Sequence, residues 1–188
     1  MEEVAVRVLI LQSSPNRDGL TAACAAAAAE GARRAGAEVE GMRLNDAGIG
    51  LCRACGNGWG TCRTEHRCTQ EDGFNALHER VAAADALVLI TPVYWGEPSE
   101  SAKAFLDRLR RCEAPRGDES ALAGKWALVV AAAGGSGNGT LTCLSSLERL
   151  LTHVRARPFD LIGITRRSRE YQLEAICRAA QAMVAAQP

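Results

Sequence analysis

The chain alternates short apolar runs with longer stretches of helical periodicity. The apolar runs are short, rich in Val, Ile and Leu, and bounded by turn residues, which is typical of buried strands. They span residues 4–11, 86–91, 126–132 and 157–164, and residues 38–44 read as a weaker second strand. The helical stretches span residues 20–35, 71–84, 99–112, 141–154 and 168–185. The pattern therefore predicts five strands, each followed by a helix.

This alternation predicts an α/β fold with a doubly wound, five-stranded parallel sheet. Parallel strands need crossover connections, and those connections place helices over both faces of the sheet. A chain of 188 residues with 47% apolar residues can fill one core but is short for two. We expect a single domain over residues 1–188. Its ligand should lie beyond the carboxyl ends of the strands, at the loops after strands one, three and four.

The balanced net charge and the short first apolar run argue against nucleic acid and a membrane as partners. The chain carries 22 basic and 22 acidic residues, so no net field attracts nucleic acid or an anionic membrane. The first apolar run contains Arg7 and is too short for a membrane span or a signal peptide. We expect no nucleic-acid partner, no membrane insertion and a cytoplasmic location. There the 8 cysteines stay reduced unless a metal or a redox reaction uses them.

The first loop, QSSPNRDGLT, runs from strand one into the first helix. It offers the hydroxyls of Ser13, Ser14 and Thr21, the guanidinium of Arg17, and the amides of a helix start, which together suit a phosphate dianion. With Gly19 as its only glycine, it is neither a dinucleotide fingerprint nor a triphosphate loop. A terminal monophosphate fits better. A capped helix start without a ligand is the alternative.

The second and third loops have the composition of a site for a flat ring. TPVYWGEPSES, residues 91–101, places Tyr94 and Trp95 on a turn, where they can stack on a ring, cap the core or form a dimer contact. AAAGGSGNGT, residues 131–140, is glycine-rich, so its backbone can approach a ligand closely. A flexible surface loop is the alternative for this segment.

The segments SSPNRDGLT and TPVYWGEPSESAKAFLDRL resemble the flavodoxin-like NAD(P)H-dependent FMN reductase family. The segment CRACGNGWGTCRTEHRCTQED resembles its iron–sulfur flavoprotein branch. The resemblance runs from Val4 to about Leu151 and implies a flavodoxin-like FMN-binding fold with strand order 2-1-3-4-5, assembled as homodimers or homotetramers. It implies a phosphate site of Ser13, Ser14, Arg17, Gly19, Leu20 and Thr21, a ring site of Pro92, Val93, Tyr94, Trp95 and Gly96, and contact of the ring's pyrimidine edge by Gly134, Gly135, Gly137 and Gly139.

The implied function is electron transfer from NAD(P)H through bound FMN to a quinone, a nitro or azo compound, a flavin or a similar small-molecule acceptor. No catalytic side chain is expected, because the cofactor carries the chemistry. One rival is an electron-transfer protein of the iron–sulfur flavoprotein kind, supplied by a ferredoxin-type donor. A second rival is a non-enzymatic binding or sensing module on the same fold.

The cysteine-rich insertion after strand two, residues 45–71, is far longer than usual connections. Cys52, Cys55, Cys62 and Cys68 are separated by two, six and five residues, and a Cys-x-x-Cys pair is a good chelating unit. The iron–sulfur branch, as the resemblance implies it, has only two residues between its second and third cysteines. An iron–sulfur cluster, structural zinc and free or redox-active thiols beside the flavin all remain open, with His66 as a substitute ligand. Packing roles are expected for Cys24, Cys112, Cys143 and Cys177.

Overall fold

A computed structural model describes residues 5–187 and contains one twisted parallel sheet. Its strands are β1 (Arg7–Gln12), β2 (Glu38–Arg43), β3 (Ala86–Tyr94), β5 (Trp126–Ala133) and β6 (Arg157–Thr165). The two-residue strand β4 (Glu97–Pro98) pairs antiparallel with the end of β3. The parallel strands lie in the order β2-β1-β3-β5-β6. This confirms the predicted order 2-1-3-4-5, because the short β4 was not counted among the five.

The helices also follow the predicted order. They are α1 (Leu20–Arg34), α4 (Phe74–Ala83), α5 (Glu100–Glu113), α6 (Thr140–His153) and α7 (Arg169–Ala185), with the one-turn helices α2 (Cys55–Gly58) and α3 (Thr61–Thr64) in the insertion. Val4, where the first strand was predicted to begin, lies outside the described residues. Within the described residues, no helix is both long and apolar enough to span a bilayer.

Two apolar cores flank the sheet, one on each face. Helices α1 and α7 cover one face, where Cys24 and Ile176 pack with Val8 of β1. Helices α4, α5 and α6 cover the other, where Phe74 and Phe105 pack with neighbouring strand residues. Burial on both faces explains why the central strands β1, β3 and β5 appear in the sequence as continuous apolar runs rather than alternating ones. The loops at the carboxyl edge are thereby held on a rigid scaffold.

Candidate functional site

The three loops predicted to form the site meet at the carboxyl edge of the sheet. The backbone amide of Ser13, after β1, donates to the carbonyl of Ile90 in β3 at 3.1 Å. The loop after β5 touches the β3–β4 hairpin so closely that a Cβ added to Gly139 would lie 2.8 Å from the Cα of Gly96. Only glycine permits this approach, since Gly139 also has a φ of +82°.

The first loop ends in a helix start that is open to an anion. Gly19 is the N-cap of α1 and provides no side-chain cap, so the first amides of the helix are left for an outside acceptor. Leu20 begins the helix, and Thr21 is buried in its first turn. Ser14 is also buried, and its hydroxyl accepts a hydrogen bond from the amide of Asn16 at 3.2 Å. These features fit a phosphate held by main-chain amides.

Ser13 lies beneath this loop and supports it. Its side chain is fully buried, and its hydroxyl donates to the carbonyl of Ile90 at 3.4 Å. The hydroxyls of Ser99 and Ser101 donate to the carbonyl of Ser13 at 2.9 and 3.2 Å. Neither Ser99 nor Ser101 was predicted as a site residue. Nothing local in the sequence indicates the contact, which joins segments 86 and 88 positions apart.

Two arginines flank the first loop in different ways. Arg17, the predicted phosphate ligand, is largely exposed, and its Nη2 lies 3.3 Å from both carboxylate oxygens of Asp46. Arg43, which the sequence did not single out, donates through Nη2 to the carbonyls of Ser14 and Pro15 at 3.2 and 3.3 Å. Arg43 therefore fixes the loop backbone. A phosphate contact by Arg17 stays a prediction, and it requires Arg17 to leave Asp46.

The second loop is a tight hairpin whose tip projects into solvent. Trp95 and Gly96 both have positive φ, +52° and +82°, as a two-residue type I′ turn requires. The Trp95 side chain is completely exposed, whereas Tyr94 is only 36% exposed. Pro92 lies within β3, where it is opposite Ala132 of β5. The hairpin thus presents an unpacked indole at the edge of the site.

A cavity of about 460 Å³ opens between this hairpin and the glycine loop. Its size falls in the usual range for small-molecule sites. It is lined by Val93, Trp95, Gly96, Thr142 and residues 133–139, which include the predicted Gly134, Gly135, Gly137 and Gly139. Backbone amides can approach a ligand here without side chains in the way. The cavity, the glycine backbone and the open amides of α1 fit the ring and the phosphate of FMN.

The four predicted cysteine ligands line a second, smaller cavity in the insertion. Cys52, Cys55, Cys62 and Cys68 surround a space of about 20 Å³, close to the volume of one water molecule. Cys112 of α5 lines the same cavity, where only a packing role was expected for it. Burial, followed by the neighbouring Cys62 and Cys68, raises the pKa of Cys112 to about 12. Cys112 therefore lines this cysteine cavity as an uncharged thiol.

Arg108 of α5 is the polar centre beside these sulfurs. Only 1% of its side chain is exposed, and it donates from Nη2 to the Cys68 Sγ at 3.2 Å. Its Nη1 and Nη2 donate to the two carboxylate oxygens of Asp72 at 2.7 and 3.0 Å, and Nη1 also donates to the carbonyl of Gly50 at 3.0 Å. Burial alone would raise the pKa of Asp72, but hydrogen bonds from Arg108 and from the amides of Gly50 and Phe74 lower it to about 2. One guanidinium thus joins both ends of the insertion.

Two further residues of the insertion were considered as contributors to a metal site. His66 places Nδ1 3.1 Å from the carbonyl of Cys112, so its ring is engaged with the backbone of α5. Trp59 is covered by the guanidinium of Arg111, 4.8 Å from the indole centroid. Arg111 also donates to the carbonyl of Gly58. Trp59 therefore packs against the guanidinium of Arg111, which itself lines the cysteine cavity.

Four cysteine thiols are a donor set that both structural zinc and an iron–sulfur cluster use. Among residues 5–187, no three His, Cys, Asp or Glu side chains converge as ligands of one ion. In a four-iron cluster each thiolate binds its own iron, so the sulfurs surround a larger body. The cysteine cavity, at about 20 Å³, is smaller than such a cluster, so binding one requires the four sulfurs to move outward. Gly56 and Gly58, in the loop between Cys55 and Cys62, have positive φ, and a Cβ added to either would meet nothing within 4 Å.

Comparisons with known proteins give the family of this chain and its curated relatives. The model of the NADPH-dependent FMN reductase family matches residues 6–161. An iron–sulfur flavoprotein of Archaeoglobus fulgidus is 31% identical over 113 residues, which cover 60% of this chain and 48% of that protein. One from Methanosarcina thermophila is 28% identical over 103 residues, covering 55% and 52%. The chain therefore matches about half the length of these curated relatives.

A solved structure shows the same fold over almost the whole chain. An NAD(P)H:quinone oxidoreductase from Methanothermobacter marburgensis superimposes with a TM-score of 0.71 at 22% identity, covering 96% of each chain. That level of identity supports the fold alone. The family match spans the phosphate loop, the hairpin and the glycine loop described above. This chain belongs to the NADPH-dependent FMN reductase family.

Proposed function

We propose that this chain is a single flavodoxin-like FMN-binding domain, residues 1–188, that oxidises NAD(P)H and reduces a small-molecule acceptor. A quinone, a nitro or azo compound, or a free flavin is the class of acceptor. The observation that carries the proposal is the meeting of two features at one sheet edge. They are the uncapped start of α1 and the glycine-lined cavity beside the β3–β4 hairpin.

The chain's contribution is binding, orientation and electrostatics. Bound FMN supplies the chemistry, accepting hydride from a nicotinamide and passing electrons onward. The amides at the start of α1 and the positive end of its dipole stabilise the phosphate. Val93 and the hairpin backbone line the cavity that would hold the ring. Amides of the loop from Gly134 to Gly139 donate toward its polar edge, where they stabilise negative charge that develops on reduction.

The test is purification of the chain followed by an absorption spectrum and a turnover assay. We expect a yellow protein that retains FMN and oxidises NADH or NADPH in the presence of an added quinone. A chain that retains no FMN, and shows no flavin-dependent turnover after reconstitution, would support a binding or sensing module instead. Comparing NADH with NADPH gives the preference for the co-substrate in the same assay.

A second function is favoured by the cysteine cavity. Four thiols line one cavity, and a buried guanidinium donates to one of them, which suits a cluster that relays single electrons to FMN from a ferredoxin-type donor. Purified without oxygen, such a protein is brown and contains iron and acid-labile sulfide. An FMN-only reductase, with free or redox-active thiols at this position, contains neither.

Assembly and location belong to the same proposal. Trp95 at the hairpin tip and Leu141 at the start of α6 are large exposed apolar side chains beside the glycine-lined cavity. They support a homodimer or homotetramer in which a second chain covers that edge, which light scattering would measure. All eight cysteines, each within the described residues, are free thiols. This supports a reducing, cytoplasmic compartment.

A further inference from the structure

Arg108 makes an unusual set of contacts for a buried arginine. Its two terminal nitrogens are shared among the Asp72 carboxylate, the Gly50 carbonyl and the Cys68 sulfur. The guanidinium also lies over the Phe74 ring, 4.4 Å from the ring centroid. Burying a guanidinium is costly unless its donors are satisfied, so each of these contacts has to be kept. The Cys68 Sγ is thereby fixed relative to α5.

One N–H group of Arg108 makes no hydrogen bond within the described part of the chain. Its Nε is buried and has no hydrogen-bond partner among the described residues. Arg108 is itself a lining residue of the cysteine cavity. An unpaired buried N–H is expensive, and an acceptor that reached this Nε would relieve that cost. Arg108 therefore places a buried guanidinium at the wall of a cavity that four cysteines line.

We propose that Arg108 is the positioning residue of the cysteine cavity, donating to the Cys68 sulfur and raising the reduction potential of an iron–sulfur cluster bound there. The proposal rests on the second function above. Adding an electron makes a thiolate-bound cluster more negative, and a nearby guanidinium stabilises that reduced form. Hydrogen bonds to sulfur ligands are among the factors that set cluster potentials.

The geometry distinguishes Arg108 from its neighbours on the same helix. Arg110 lines a groove between α5 and α6 instead of the cysteine cavity. Arg111 lines the cavity but bonds to the carbonyl of Gly58 and lies over Trp59. Of the three, only Arg108 donates to a cysteine sulfur. Arg110→Gln is therefore a matched control, because it removes the same charge from α5 without altering a contact to the sulfurs.

The experiment uses the full chain, purified and reconstituted with iron and sulfide without oxygen. Iron content and the midpoint potential of the cluster are measured for the wild type, Arg108→Met, Arg108→Lys and Arg110→Gln. We expect Arg108→Met to change the one-electron equilibrium by about tenfold toward the oxidised form, a shift of 59 mV to more negative potential. Arg108→Lys keeps the charge without the planar fork, so its shift should be smaller and in the same direction.

The outcomes distinguish the role of Arg108 from the presence of the iron–sulfur cluster itself. A wild-type chain that takes up neither iron nor sulfide refutes the cluster, and the role of Arg108 with it. A cluster that loads into the wild type and keeps its potential in Arg108→Lys and Arg108→Met refutes the role of Arg108 alone. A purely structural arginine would lower iron content or Tm without moving the potential of the loaded molecules. If Arg108→Met fails to fold, Arg108→Lys still measures the shift against Arg110→Gln.

Discussion

The hydroxyl of Ser99 lies 2.9 Å from both the carbonyl and the hydroxyl oxygen of Ser13. Ser99 is also the N-cap of α5, accepting from the amide of Ala102 at 3.4 Å. One buried side chain therefore begins a helix and supports the phosphate loop across the sheet edge. The phosphate loop and the β3–α5 connection form one unit through this pair.

Replacing Ser99 with alanine should weaken both stability and FMN binding. Loss of the cap and of the buried hydrogen bond to Ser13 should lower the free energy of unfolding by about 1.5–3 kcal/mol. Urea unfolding and FMN fluorescence titration measure the two effects. Ser145→Ala, which removes an exposed hydroxyl on α6, is the control. If Ser99→Ala and Ser145→Ala have the same free energy of unfolding and the same affinity for FMN, the role given to Ser99 is wrong.

Replacing Gly139 with alanine should disrupt contact between the hairpin and the glycine loop. The added Cβ would lie 2.8 Å from the Cα of Gly96, at a backbone φ of +82°. We expect a loss of about 1–3 kcal/mol in stability and a weaker affinity for FMN. Gly41→Ala is the control, since Gly41 lies in β2 away from the cavity and its Cβ would meet nothing within 4 Å. The prediction fails if both variants bind FMN as the wild type does.

Replacing Arg17 with alanine tests the remaining side-chain prediction for the phosphate. If Arg17 exchanges Asp46 for the phosphate, its loss should weaken FMN by about 1.5–3 kcal/mol, the range for a hydrogen bond to a charged group. Asp46→Asn should not weaken binding, because it frees Arg17 from its present partner. Unchanged FMN affinity in Arg17→Ala would leave the phosphate to the backbone amides alone.

Acid should destabilise the protein through Glu113. Its carboxylate lies 2.6 Å from Nε2 of His78 and accepts from the Ser120 hydroxyl and the Ala121 amide at 2.8 and 2.7 Å. Burial alone would raise the pKa of Glu113, but these contacts lower it to about 2. An unfolded glutamate titrates near 4.3, so this group contributes about 3 kcal/mol above that pH.

That contribution should disappear as the pH falls from about 4.3 through about 2. Urea unfolding at a series of pH values measures the slope. Glu113→Gln should flatten it, whereas Glu119→Gln, at an exposed position, should leave it unchanged. An identical slope in Glu113→Gln and the wild type would show that other groups dominate the acid response.

Replacing Cys55 with serine tests the cysteine cavity. If a cluster is bound by Cys52, Cys55, Cys62 and Cys68, the variant should lose its iron and sulfide while keeping FMN. Cys177→Ser, in α7 and away from the cavity, should keep all three. Retention of full iron content in Cys55→Ser would remove Cys55 from the ligand set.

Periodicity in the sequence was sufficient for the sheet and its helices, because the central strands are continuous buried runs and each long helix buries one face. It missed β4, since two residues leave no period to detect. It could not find Ser99, Arg43 or Arg108 as supports, because each acts on a segment brought near only by the sheet topology. Cys112 gave no signal beyond packing, yet it lines the cavity of the four insertion cysteines.

The most direct test of the central claim is a crystal structure of the chain with FMN. We expect the phosphate on the amides at the start of α1, beside Thr21, and the ring between the β3–β4 hairpin and the loop from Gly134 to Gly139. A phosphate or a ring found elsewhere, or loops too far apart to hold both at once, would contradict it.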